Sequence, residues 1–155
     1  MNSHNVQQGL GDPHFLEVPY GSPAYQQCLE LRRVILREPL GLVFTQVDFD
    51  QDRNDVHLAC TLGEQLVGCL VLTPREAGEI KMRQVAVVPG LQGFGIGRGL
   101  VRFSEAVAIE RGFTRMTLHA RETAVGFYEK LDYQAVGDAF VEVTVPHRRM
   151  QKELK

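Results

Sequence analysis

The spacing of apolar residues changes repeatedly along this 155-residue chain, and each change marks an element. His14-Phe-Leu-Glu-Val-Pro alternates weakly and reads as a first strand. From Ala24 to Arg37, the residues Ala24, Cys28, Leu31 and Ile35 recur at helical spacing, and Pro39 and Gly41 end that helix. The Asp-rich stretch Val47–Asp55 reads as a solvated loop. Two apolar runs, Val56–Leu62 and Gln65–Thr73, flank Gly63-Glu64 and predict a hairpin. After a turn over Pro74–Gly78, Glu79–Val88 reads as a long strand. Ile80, Met82, Gln84 and Ala86 share one of its faces, and Lys81, Arg83, Val85 and Val87 the other. A helix is expected from about Gly95 to Arg111, with Ile96, Leu100, Phe103 and Val107 inward and Gly112 at its end. Thr114–Ala120 fits a strand. Thr123–Leu131 fits a short helix with Ala124, Phe127, Tyr128 and Leu131 on one side, and Tyr133–Met150 a final strand pair. The pattern is α+β, hairpin strands first and then β–α–β–α–β, without internal repeats. Residues 1–12 are expected to be a flexible tail and residues 13–155 a single domain.

Composition narrows the class. At 44% hydrophobic and 23% charged residues the chain suits one globular core. A net charge of −2 implies no basic face, so nucleic acid is a poor partner. No apolar run approaches the roughly 18 residues of a membrane span, so no membrane partner is expected. The segment Met1–Gly9 is polar and lacks the apolar centre of a signal peptide, which points to a cytoplasmic protein. Cys28, Cys60 and Cys69 are odd in number and lack C-x-x-C spacing. Free, buried thiols fit this better than a disulfide framework or structural zinc.

The chemistry concentrates in Val85-Ala-Val-Val-Pro-Gly-Leu-Gln-Gly-Phe-Gly-Ile-Gly-Arg-Gly99, a strand, a turn and a glycine-rich helix start. Unpaired N–H groups and a partial positive charge at a helix start attract phosphate. Gly93, Gly95 and Gly97 have no Cβ to hold a diphosphate away, and Gln92 and Arg98 add a hydrogen-bonding group and a cation. Gly97-Arg98-Gly99 lacks the Gly-Lys-Ser/Thr of a P-loop. The glycines also miss the Rossmann spacing, since Arg98 or Leu100 falls where the third glycine belongs.

Gln92-x-x-Gly95-x-Gly97 after Val-Ala-Val-Val-Pro resembles the acetyl-CoA loop of the GNAT superfamily of N-acetyltransferases. Ala124-Val-Gly-Phe-Tyr-Glu-Lys-Leu-Asp-Tyr133 resembles that family's A-x-x-F-Y-E-K-L-G-F segment. Asp132 replaces the glycine, at a position expected to need a left-handed backbone. Phe140-x-Glu142 and Val145-Pro-His147-Arg-Arg-Met150 are similar to the tail of a branch of small bacterial predicted acyltransferases. That branch also shows an Asp-rich loop before a strand histidine, matched by Asp50 to His57, and an Ala-Gln pair where this chain has Ala120-Arg121. The likeness covers about residues 28 to 152.

The resemblance implies a GNAT-like fold. Its central, twisted, mostly antiparallel sheet of six to seven strands is flanked by about four helices and splays between the strand before the glycine loop and the next. It implies acetyl-CoA as acyl-donor co-substrate, without metal. Gly93, Phe94, Gly95, Ile96, Gly97 and Arg98 would hold the diphosphate with Gln92 beside it. Main-chain groups of Val85, Ala86 and Val87 would bind the pantetheine arm, which pairs like an added strand. A neutral amine attacks the thioester directly, and a backbone N–H near Val85 is the natural donor to the oxyanion. Tyr128 is the expected acid for the departing thiolate, although its helical face also suits packing. Phe127 is expected in the core. Glu142 and His147 lead as base, with His57, His119 and Glu79 as alternatives, and Arg83 is a candidate for holding a substrate carboxylate. The expected product is an N-acetylated small molecule or peptide amine. The alternative is a catalytically degenerate acyl-CoA-binding or sensor domain. The resemblance admits a homodimer and leaves the acceptor open, with Leu36–Asp55 and the last two strands expected on the acceptor side. Asp48, Asp50 and Asp52 mimic an EF-hand start, but Arg53 and Ala59 stand where its glycine and glutamate belong.

Overall fold

Ser22 and Pro23 start the first helix. The Ser22 side chain accepts from the Tyr25 N–H at 3.2 Å, and proline stands where its missing N–H costs no hydrogen bond. This computed structural model describes residues 11–91 and 93–155. Most of the expected N-terminal tail and Gln92 therefore lie outside the described residues. The chain forms two compact units. One holds the described residues up to Leu72 together with Gln84–Ser104, the other Thr73–Arg83 with Glu105–Lys155.

In the first unit, β1 (Pro13–Val18) runs antiparallel to β2 (Val56–Leu62), with Val18 opposite His57. A hairpin at Gly63-Glu64 joins β2 to β3 (Gln65–Pro74), as the apolar runs predict. Helix α1 (Pro23–Arg32) passes into one π-helical turn and a 3-10 turn before Gly41 ends it with φ 69°. Val18, Tyr25, Cys28, Ala59, Cys69 and Ala86 pack into one core cluster.

The Asp-rich stretch is not a loop. It forms α2 (Gln46–Arg53). Asp48 Oδ2 accepts from the Thr45 N–H at 2.8 Å and the Thr45 hydroxyl at 3.1 Å, which anchors the helix start. Asp50 accepts from Gln46, and Asp52 turns inward against Arg32. Each carboxylate thus has its own partner, and together they form no calcium loop.

In the second unit, the start of β4 (Glu79–Val87) pairs in parallel with β5 (Arg115–Arg121) over Glu79–Met82. β5 pairs antiparallel with β7 (Val145–Glu153), and β7 with β6 (Gln134–Glu142). The strand order of the seven-stranded, mostly antiparallel sheet is β1-β2-β3-β4-β5-β7-β6.

Helix α3 (Ile96–Glu110) ends at Gly112, φ 88°, where the Phe113 N–H returns to Ala108 O at 3.0 Å. Its buried face differs from the expected stripe. Phe103 and Val107 are half-buried, whereas Val101, Ser104, Glu105 and Ala108 join Ile96 and Leu100 inside. The polar members are satisfied there. The Ser104 hydroxyl donates to Val101 O at 2.6 Å, and Glu105 accepts from the Tyr133 hydroxyl and Lys152. Helix α4 (Val125–Glu129) buries Tyr128 but leaves Phe127 40% exposed, so Phe127 is not a core residue. Phe127 lies about 100° around the helix from Tyr128, and on this short helix only Tyr128 turns inward. Among the described residues no helix is long and apolar enough to cross a membrane.

Candidate active site

Gly93 and Gly95 adopt φ of 92° and 76°, a region costly to residues with a Cβ. A Cβ added to either would meet nothing within 4 Å, so the backbone here borders open space. The Phe94 N–H bonds to Leu91 O at 3.3 Å, and the Gly99 N–H closes the first turn of α3 on Gly95 O at 2.8 Å. In that geometry the N–H groups of Ile96, Gly97 and Arg98 precede the helical ladder and point out of its start. Ile96 buries its side chain while Arg98 is exposed. A coenzyme diphosphate fits this turn on both counts, the open glycine backbone and the outward amides.

Two other glycines serve packing. A Cβ on Gly68 of β3 would lie 2.9 Å from Leu100 Cδ1 and 3.0 Å from Ile96 Cγ2, and one on Gly99 would collide with the Phe15 ring. Upstream, Val85 and Val87 are half-buried and Ala86 is buried. Gln84 has φ 56° in the middle of β4, an interruption of regular strand geometry. Ile80, Met82 and Ala86 nonetheless stay buried on the parity expected for one face of the strand. The Val88 N–H bonds to Val67 O at 2.8 Å.

In the second unit, the register gathers polar side chains on one face of the sheet. Lys81 lies opposite Thr117, two residues before His119, and Phe140 lies opposite His147. Glu142 bridges the group. Its Oε1 is 3.1 Å from His119 Nδ1, and its Oε2 is 3.7 Å from His147 Nε2. Lys81 Nζ is 3.3 Å from the same His119 Nδ1. The Phe140 ring meets His119 edge-on at 5.0 Å and stacks on His147 at 5.9 Å. Burial, then Arg75, Arg83 and Arg149, lower the Lys81 ammonium below the ordinary lysine range against the opposing pull of Glu142.

The other expected residues are placed as follows. Tyr128 is 7% exposed between the edges of Phe127 and Tyr133, and burial pushes its phenol up to about 12, so it stays protonated at neutral pH. Asp132, just after α4, has the expected left-handed φ, 73°. His57 is buried, with Nε2 2.8 Å from Asp52 O, and anchors the end of α2. Glu79 pairs with Arg149 at 3.4 Å, and Arg83 donates to Thr73 at 3.2 Å. Sequence reasoning did not single out Lys81. Its only signal was its strand parity with the polar face.

The sequence matches the Acetyltransferase (GNAT) family over residues 25–133, well over half the chain, and the protein belongs to that family. It is 34% identical over 74 residues to the uncharacterized protein YyaT of Bacillus subtilis, covering 48% of this chain and 50% of that protein. The chain spans about half the length of the curated relatives it matches first. A candidate N-acetyltransferase structure from Lactobacillus plantarum is similar over 94% of this chain and 100% of that one, with a TM-score of 0.81 and 25% identity. A crystal structure of an aminoglycoside 6'-N-acetyltransferase complexed with coenzyme A shares the fold, with a TM-score of 0.76 and 18% identity. That likeness covers 90% of this chain and 96% of the other.

Proposed function

We propose that this protein is an acetyl-CoA-dependent N-acetyltransferase acting on a primary amine of a small molecule or peptide. The glycine turn carries the reading. Left-handed Gly93 and Gly95 border open space and lead into a 15-residue helix whose first amides suit a diphosphate. The family supplies the class of reaction, acyl transfer. The residues that hold the co-substrate are Gly93–Arg98, with Gln92 beside them and the main chain of Val85–Val87 along the pantetheine arm.

In the proposed reaction the neutral amine nitrogen attacks the thioester carbonyl carbon. A C–N bond forms and the C–S bond breaks. A main-chain N–H near Val85 donates to the developing oxyanion. Tyr128 gives its phenolic proton to the leaving thiolate, and the amine's proton passes into the cluster in which Glu142 bridges His147 and His119.

The test is a panel of spermidine, glucosamine, free amino acids and an alanine-initiated peptide with acetyl-CoA, followed by free-thiol release. At least one amine should release thiol faster than its absence. Silence across the panel together with tight CoA binding by calorimetry would favour a coenzyme-binding sensor instead.

A further inference from the structure

We infer that His119 takes the proton of the acceptor amine on Nε2, with Glu142 and Lys81 as positioning residues that act on its other nitrogen. This rests on the N-acetyltransferase reading. A carboxylate only accepts hydrogen bonds and an ammonium only donates them. His119 Nδ1 lies 3.1 Å from Glu142 Oε1 and 3.3 Å from Lys81 Nζ, so it cannot satisfy both. Glu142 is the closer partner and forms a charge-assisted bond to an Nδ1–H. The half-buried Lys81 is the group whose charge its surroundings disfavour. With the hydrogen on Nδ1, Nε2 keeps its lone pair. A proton taken there creates an imidazolium that Glu142 stabilises. Lys81, a cation 3.3 Å from Nδ1, opposes that charge.

His147 is differently held. Its Nδ1 is 2.7 Å from Val145 O, its Nε2 stands 3.7 Å from Glu142, and the side chain is 9% exposed against 29% for His119. His147 thus backs Glu142 from the buried side. The turn that delivers Glu142 is strained. Val143 and Thr144 have φ of 49° and 63°, unfavourable for β-branched residues, and such strain gathers at functional sites. Around Lys81 stand Arg75 of the preceding turn, Arg83 of β4, Glu142 of β6 and Arg149 of β7, which lies opposite His119 and pairs with Glu79, while His147 of β7 faces Glu142.

The first test is a long-range 1H–15N spectrum of the whole chain, which reports the tautomer of the neutral His119 ring. Hydrogen on Nδ1 is expected, and hydrogen on Nε2 overturns the inference because no lone pair remains there. The second is His119→Gln with the best amine of the panel. Turnover should fall on the order of a hundredfold while acetyl-CoA affinity stays within twofold. Glu142→Gln should move the acid limb of the kcat/KM profile to lower pH, and Lys81→Met should move it to higher pH, a split that a purely structural role would not produce. Wild-type turnover by a His119→Gln protein that binds acetyl-CoA normally overturns the role of His119 alone. Failure of the wild type to bind acetyl-CoA overturns the acetyltransferase reading, and the inferred role falls with it.

Discussion

The Asp52 carboxylate lies 2.9 Å from the Arg32 guanidinium, with both side chains 2% exposed. The Tyr25 hydroxyl donates to the same carboxylate at 2.6 Å. An ion pair this dry is held by mutual dependence, because either charge left alone would be buried without compensation. Asp52→Asn should therefore lower unfolding stability by about 3–5 kcal/mol in urea titration. The joint change Arg32→Met with Asp52→Leu should recover most of that loss. A double variant as weak as the single one would show that the pair adds net stability.

Gly99 faces the Phe15 ring so closely that a Cβ cannot be placed without movement. Gly99→Ala should cost about 1–3 kcal/mol through overpacking, even though alanine favours helix. Phe15→Leu should relieve part of that cost. A double-mutant cycle should give a coupling of at least about 0.5 kcal/mol, and strict additivity would place the cost elsewhere.

These two contacts show what could be read along the chain and what could not. The Gly63-Glu64 hairpin, the Gly112 helix end and the left-handed Asp132 are local, so neighbouring residue types announce them. Asp52 finds Arg32 twenty residues earlier and Tyr25 twenty-seven earlier. Its run of acidic residues therefore looked solvated when read alone. The glycine turn was legible because it needs glycine. Gln84 reaches φ 56° without a glycine to mark it, so the interruption in β4 was hidden. The grouping of Lys81 and His119 with Glu142 depends on a register that sets β4, β5, β7 and β6 side by side, which no single segment encodes.

Val143 and Thr144 offer a direct test of stored strain. Both occupy the two-residue turn between β6 and β7 at positive φ, where Asn-Gly is favoured. Val143→Asn with Thr144→Gly should raise stability by about 1–2 kcal/mol, read as a higher thermal midpoint. If the strain serves to hold Glu142, the same variant should not gain activity with the best amine.

Cys60 links stability to pH. It is fully buried in β2, and burial pushes its thiol from 9.0 up to about 11. Above pH 9 the unfolded chain releases this proton while the folded chain keeps it. The unfolded state then binds fewer protons, and stability falls as pH rises. Between pH 9 and 11 the wild type should lose about 2 kcal/mol more than Cys60→Ala in urea titrations under reducing conditions. Parallel curves for the two proteins would contradict a raised thiol.

Tyr128 separates packing from proton transfer. Its phenol is buried and held neutral, which suits a donor to a thiolate and equally suits a side chain that only fills space. Tyr128→Phe keeps the ring and its edge contacts with Phe127 and Tyr133 and deletes only the hydroxyl. If Tyr128 is the acid, turnover should drop about tenfold or more while CoA affinity by calorimetry remains nearly unchanged. The loss should grow with a poorer leaving group, so an oxygen-ester analogue of acetyl-CoA should be hit harder than the thioester. An unaltered rate with both donors would leave Tyr128 as a packing residue beneath Phe127.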